Sequence, residues 1–192
     1  MDVPPVDRLA FELPSWLATS VSAISPLDSL VARMRFVIDL SRENVARGTG
    51  GPFAAAVFEA STGRLVGAGV NQVERLGMSV MHAEILALMT AHRRVGSYSL
   101  ARAAGAPYEL VTSCMPCAMC LGAVLWSGVA RVVCGARTED AAAIGFDEGP
   151  VFPESLAYLK RRGITWTSDV LRSEAGAVLE EYSRRGGAIY NR

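Results

Sequence analysis

Residues 113–120 read SCMPCAMC: three cysteines within eight positions, the last two, Cys117 and Cys120, spaced C-x-x-C behind Pro116. Such a step serves a redox couple, half of a structural zinc knot, or the thiolate half of a catalytic metal site. Proline is favoured at the first helical position, so Pro116 predicts a helix opening here and running through Leu125. Residues three apart on a helix share a face, which lets both sulfurs meet one ion. A helix N-terminus also stabilises thiolate, the form that binds metal. Alone, the step leaves all three uses open.

His82-Ala83-Glu84, at the start of another predicted helix, changes the balance. One imidazole and two thiolates make three protein ligands, and three leave zinc's fourth position to water, the mark of a catalytic site. Glu84 lies close enough to the metal to act as general base without being a ligand. Neighbours two apart in a regular helix point about 200° apart, so His82 and Glu84 converge only if they straddle the helix start. A closed structural site needs a fourth protein ligand, and Cys114 competes for that place. His92 does not: ten residues along a continuous helix is about 15 Å. Cys134, ending an apolar strand, reads as core, and His92 as a helix-surface residue.

The whole chain restricts the setting. Its 192 residues fit one domain with room for a terminal arm. Net charge is +0 and Lys160 is the only lysine, so no basic stripe for a phosphate backbone is present; this speaks against a nucleic-acid partner. Four bunched cysteines do not make a secreted disulfide framework. No apolar run approaches the ~20 residues of a membrane span, and the acidic, proline-spaced start does not resemble a signal peptide. These features predict a soluble cytoplasmic protein with reduced cysteines and no membrane association.

Residues 1–24 read as an N-terminal extension whose Phe11, Trp16 and Leu17 dock on the body or on a partner; 25–192 form the domain. In SPLDSLVARMRFVIDL, Ser25 suits an N-cap, Pro26 the first helical position and Asp28 the helix dipole. Leu27, Leu30, Val31, Met34, Val37 and Ile38 then recur at helical spacing. Two strands follow about the turn Ser61-Thr62-Gly63-Arg64. Beyond them lie the helix MHAEILALMTAHRRV, the strand YELVTSC, the Pro116 helix and the strand VARVVCGA. The tail predicts a helix near 153–162, the strand GITWTS and a helix over 171–184. A hairpin followed by alternating helix and strand implies an α/β fold with a mixed sheet and helices on both faces.

The pair His82-Ala83-Glu84 and Pro116-Cys117-Ala118-Met119-Cys120 resembles the zinc nucleobase deaminase signature H-x-E…P-C-x-x-C. Within that superfamily, GGPFAAAV, AGVN, HAEILAL, PCAMCLGAVLWSGV, AIGFDEGP and the closing GGAIYNR are most similar to the small bacterial guanine deaminases, especially those that also accept ammeline. The likeness spans roughly residues 30–192. It implies a cytidine-deaminase-like three-layer α/β/α sandwich around a mixed five-stranded sheet. It also implies a homodimer whose 171–192 segments complete the partner's active site.

Carried over by position, His82, Cys117 and Cys120 hold Zn2+, and Glu84 shuttles protons. Glu148 is a second acid with Asp147 beside it. Asn71 binds the base and Phe53 stacks on it, Trp126 forms a pocket wall, and Tyr190 closes the pocket. Without the resemblance, Asp147 and Glu148 read more readily as solvated turn residues before Pro150, and Phe53 and Trp126 as core aromatics. One departure stands out: Met115 precedes Pro116 where relatives commonly carry glutamate, removing a charge near the metal. The implied reaction is guanine to xanthine plus ammonia. The alternatives are a tRNA adenosine deaminase, which shares both metal motifs, or action on an aminopurine, pterin or triazine. Guanine is favoured chemically, because its N1–H and 2-amino group are donors a second carboxylate can accept.

Overall fold

The strand β1 (Ala54–Glu59, AAAVFE) is buried at every position, as a strand covered on both faces must be. Its side chains alternate between two cores. Ala54, Ala56 and Phe58 join one apolar cluster, and Ala55 and Val57 join the other. In this computed structural model, which describes residues 9–105 and 107–191, β1 is second in a five-stranded sheet of order β2-β1-β3-β4-β5. The strands β2 (Leu65–Val70) and β3 (Tyr108–Cys114) flank it antiparallel. Next come β4 (Arg131–Ala136) and the short β5 (Thr165–Thr167), each parallel to its neighbour. The predicted mixed five-stranded sheet is therefore observed.

Before the sheet the chain forms α1 (Ser15–Ser22) and α2 (Leu30–Ala46). The remaining helices are α3 (Val73–Leu76), α4 (Ala83–Val95), α5 (Ala118–Ser127), α6 (Thr138–Ala143), α7 (Pro153–Arg161) and α8 (Arg172–Arg184). Met34, Val37 and Ile38 of α2 and Val178 and Leu179 of α8 cover one face of the sheet. Ala83, Ala87 and Ala91 of α4 and Leu121 and Val124 of α5 cover the other. The result is three layers. No helix among the described residues is long and apolar enough to cross a membrane.

Two local expectations are corrected. The second helix starts four residues late: Ser29 is its N-cap and accepts from Ala32 N at 3.2 Å. Residues 25–28 are held outside it because Leu27 N donates to Gly63 O at 3.0 Å and Arg33 Nε donates to Leu27 O at 2.7 Å. A tertiary strap to the hairpin turn outweighs proline's local preference. Likewise Pro116 lies outside its helix, since Cys117 is the N-cap. Of the expected N-terminal extension, the part before Leu9 lies outside the described residues. The rest contributes α1, which seats Leu17 in the core and donates from Trp16 Nε1 to Thr49 Oγ1 at 3.1 Å.

The sheet places the chemistry at one end. The register Ala54↔Val70 and Ala55↔Thr112 sets Phe53, Asn71 and the exit of β3 side by side. Helix α4 lies so close over β2 that a Cβ on Gly69 would strike the backbone of Ala83 and Ala87. Glycine there fixes the depth of the α4 N-terminus. At the opposite end the buried Arg33–Glu109 pair, 2.5 Å apart, ties α2 to β3.

Candidate active site

His82 is the N-cap of α4, with extended backbone (φ −71°, ψ 154°). It thus stands outside the helix while Glu84 stands in its first turn, the straddle that lets both side chains converge. Cys117 caps α5 in the same way (φ −65°, ψ 173°), with Cys120 one turn in. His82 turns Nδ1 toward both sulfurs, 3.5 Å from Cys117 and 3.7 Å from Cys120. All three ligand atoms lie within 4.8 Å of one another. One nitrogen and two thiols converging beside two helix N-termini suit zinc's preference for N and S donors.

Cys114 does not complete the set. Its thiol faces the carbonyl of Arg137 at 3.5 Å and packs in the α2–α8 core. The group is therefore three residues, and the open form of the site is the one observed among the described residues. Cys134 is core, as expected. His92 instead contacts Ser127 O at 3.0 Å and links α4 to α5.

The electrostatics are those of a buried acid–thiolate cluster. The Cys120 thiol donates to Cys117, and with His82 adjacent this holds Cys117 down to about 4; the same bond and burial push Cys120 up. Burial, then the Cys117 charge, raises Glu84. Burial first, then Cys117 and Glu84, raises Glu148 to about 8. Two carboxyls whose charged forms are disfavoured thus face the Cys117 thiolate, and a bound dication would relieve both.

Around the triangle the structure assembles most of the expected residues. Phe53 and Tyr190 each pack against Phe146, at 5.0 Å between ring centroids. The Tyr190 ring meets His82 edge-on at 6.4 Å. Asn71 Nδ2 and Tyr190 Oη are buried without a hydrogen-bond partner. Both residues border Gly51, where a Cβ would fall 2.7 Å from Tyr190 Oη and 3.2 Å from Asn71 Oδ1. Unpaired buried donors are costly, and these two belong to residues that both border Gly51, with the Tyr190 ring against His82.

Two expected residues are not brought in. Asp147 is exposed; its Oδ1 accepts from Gly149 N at 2.8 Å, and its backbone pairs with Asn191, so it clasps the tail. Trp126 is 72% exposed. It lies six residues beyond Cys120, about 240° around the helix from the inward face. The tail turns back toward its own chain's ligands, with the Tyr190 ring against His82. Gly187, packed on the Tyr182 ring where a side chain would clash, makes that reversal, and Tyr182 Oη donates to Ala188 O at 2.7 Å.

Phe146, Tyr182 and Asn44 went unnoticed in the sequence. An aromatic two positions before Glu148 was the available signal for Phe146; the other two touch the site only through the fold.

Residues 29–136 match the cytidine and deoxycytidylate deaminase zinc-binding region. The chain is 35% identical over 121 residues to a guanine deaminase of Bacillus subtilis, covering 63% of this chain and 73% of that protein. It is similar to a solved guanine deaminase from Nitrosomonas europaea, with 46% identity and a TM-score of 0.89 over 93% of this chain and 97% of the other. A variant of the protein NE0047 in complex with 8-azaguanine superposes equally well: 46% identity, TM-score 0.89, over 93% and 98% of the two chains. Ligand triangle, adjoining acid, sheet order and matched residues agree, and the chain belongs to the zinc-dependent cytidine and deoxycytidylate deaminase family.

Proposed function

We infer that this chain deaminates guanine hydrolytically, giving xanthine and ammonia as a step of purine breakdown. The observation that carries the reading is the pair of unpartnered buried groups, Asn71 Nδ2 and Tyr190 Oη, whose residues border Gly51, with the Tyr190 ring against His82 of the His82–Cys117–Cys120 triangle. Zinc held by His82, Cys117 and Cys120 would supply the Lewis acidity that makes a water proton transferable near neutral pH. Glu84 accepts that proton and hands it to N3 of the purine as the water oxygen bonds to C2. The bond from C2 to its amino group then breaks. The departing amine takes the C2 hydroxyl proton, relayed by Glu84 or Glu148, and the oxygen left behind becomes the C2 carbonyl of xanthine.

Asn71 orients the ring, Phe53 stacks on it, and Tyr190 covers it. Glu148, whose carboxyl burial raises to about 8, is the second proton carrier. Its second oxygen stays free to accept a guanine N–H. A guanine deaminase at 46% identity supports this choice of substrate. The free cysteines support a reducing, cytoplasmic setting. The exposed apolar side chains of Trp126, Met119, Phe152 and Tyr158 support a homodimer.

The test is ammonia release by zinc-loaded protein from guanine, ammeline, 2,6-diaminopurine, adenine and cytosine, with the product identified by chromatography. Guanine turnover with xanthine as product is expected. Turnover of adenosine within tRNA, with guanine inert, would overturn the reading.

A further inference from the structure

Asn44, in the last turn of α2, is fully buried and outside the ligand shell. Its amide uses every hydrogen-bonding position it has. Nδ2 donates to Gly51 O at 2.8 Å and to Asn71 O at 3.0 Å. Oδ1 accepts from Thr49 Oγ1 at 2.7 Å and from Gln72 Nε2 at 3.4 Å. The two carbonyls it grips belong to separate loops, one entering β1 and one leaving β2.

Those loops carry the purine contacts. Phe53 N donates to the same Gly51 carbonyl at 2.9 Å, and Asn71 N donates to Phe53 O at 2.9 Å. Gly51 itself leaves the gap between Tyr190 Oη and Asn71 Oδ1. The spacing of the stacking ring, the Asn71 amide and the tail hydroxyl therefore passes through one side chain. Thr49 is braced in turn from α1, by Trp16 Nε1 at 3.1 Å.

We propose that Asn44 is a positioning residue for substrate recognition: it touches no substrate atom, and by tying Gly51 O to Asn71 O it sets the geometry in which the base is gripped. The inference rests on the guanine reading. It separates from His82, Cys117, Cys120 and Glu84, to none of which Asn44 is hydrogen-bonded.

The test uses the zinc-loaded full chain, its guanine kinetics, and 8-azaguanine affinity by calorimetry. Asn44→Asp keeps the size and the acceptor but turns an oxygen on both carbonyls. It should retain parental zinc content and raise both KM for guanine and Kd for 8-azaguanine about tenfold or more, with kcat falling less than KM rises. Thr49→Val removes one donor to Oδ1 without touching either loop carbonyl, and should move KM and Kd the same way by about threefold. Trp16→Phe should follow Thr49→Val more weakly. A folded, zinc-replete Asn44→Asp enzyme with both constants within about twofold of the parent overturns the proposal. If Asn44→Asp does not fold, unchanged constants in Thr49→Val overturn it. A loss of kcat matched by loss of zinc at unchanged KM also overturns it, since Asn44 would then serve folding alone. A parent that neither binds 8-azaguanine nor deaminates guanine sinks the functional reading instead, and the two failures are told apart.

Discussion

In the proposed reaction Glu84 is the residue on which the chemistry turns. It is 6% exposed, and its carboxyl is raised by burial and by the Cys117 charge, as suits a group that must take and return protons. Its backbone is fixed by the α4 start, which Gly69 sets at its depth over β2. Glu84→Gln keeps the shape and removes the proton carrier. It should bind zinc at the parental level and lose roughly 10²–10⁴ in kcat, measured as ammonia release beside metal content. The metal ligands and Glu84 were legible in the sequence because each pair lies within a few residues of one helix start, where backbone geometry is local. Phe146 and Asn44 were not, because a side chain whose partners lie 27 or 44 positions away gives no local sign.

At the scale of elements, apolar patterning identified the sheet and the longer helices, because burial imposes a period that the chain must show. Shorter pieces such as α3 and α6 span one turn or little more and carry no such period. Trp126 shows a related point: position in a motif places a residue on a helix, and only the helix phase says which way it faces, here outward. Helix α6 and the β5–α8 connection are joined by charge, with Arg137 bonded to Asp169 at 2.6 Å and Arg172 to Asp140 at 2.8 Å. The Arg172 hydrogen bonds hold Asp140 low, and those of Arg137 hold Asp169 low. A carboxylate lowered in the folded state stabilises fully above its unfolded value, near 4, and loses that contribution as pH falls through the folded value. Melting temperature should therefore drop more steeply below about pH 4 in the parent than in Arg137→Gln. The difference should shrink in high salt, because these pairs are exposed.

The molecule as a whole has its active site between the two ends of the chain and the sheet. Helix α1 braces the loop before β1, while the tail folds back so that Tyr190 packs edge-on against His82 of the same chain. Mixing Glu84→Ala protein with a variant lacking residues 187–192 examines that closure directly. If each tail serves its own site, the mixture should be no more active than its components. Recovered activity would mean that tails cross between subunits. The path of the tail was beyond the sequence, because it depends on Gly187 against Tyr182 and on Asp147 against Asn191, contacts between segments with no shared pattern.

Zinc K-edge absorption of the loaded protein probes the metal site most directly. Two sulfur scatterers near ~2.3 Å and two lighter ones near ~2.0 Å are expected from His82, Cys117, Cys120 and one solvent-derived position. A third sulfur, or protein that retains no zinc, would contradict a catalytic site at this place in the fold.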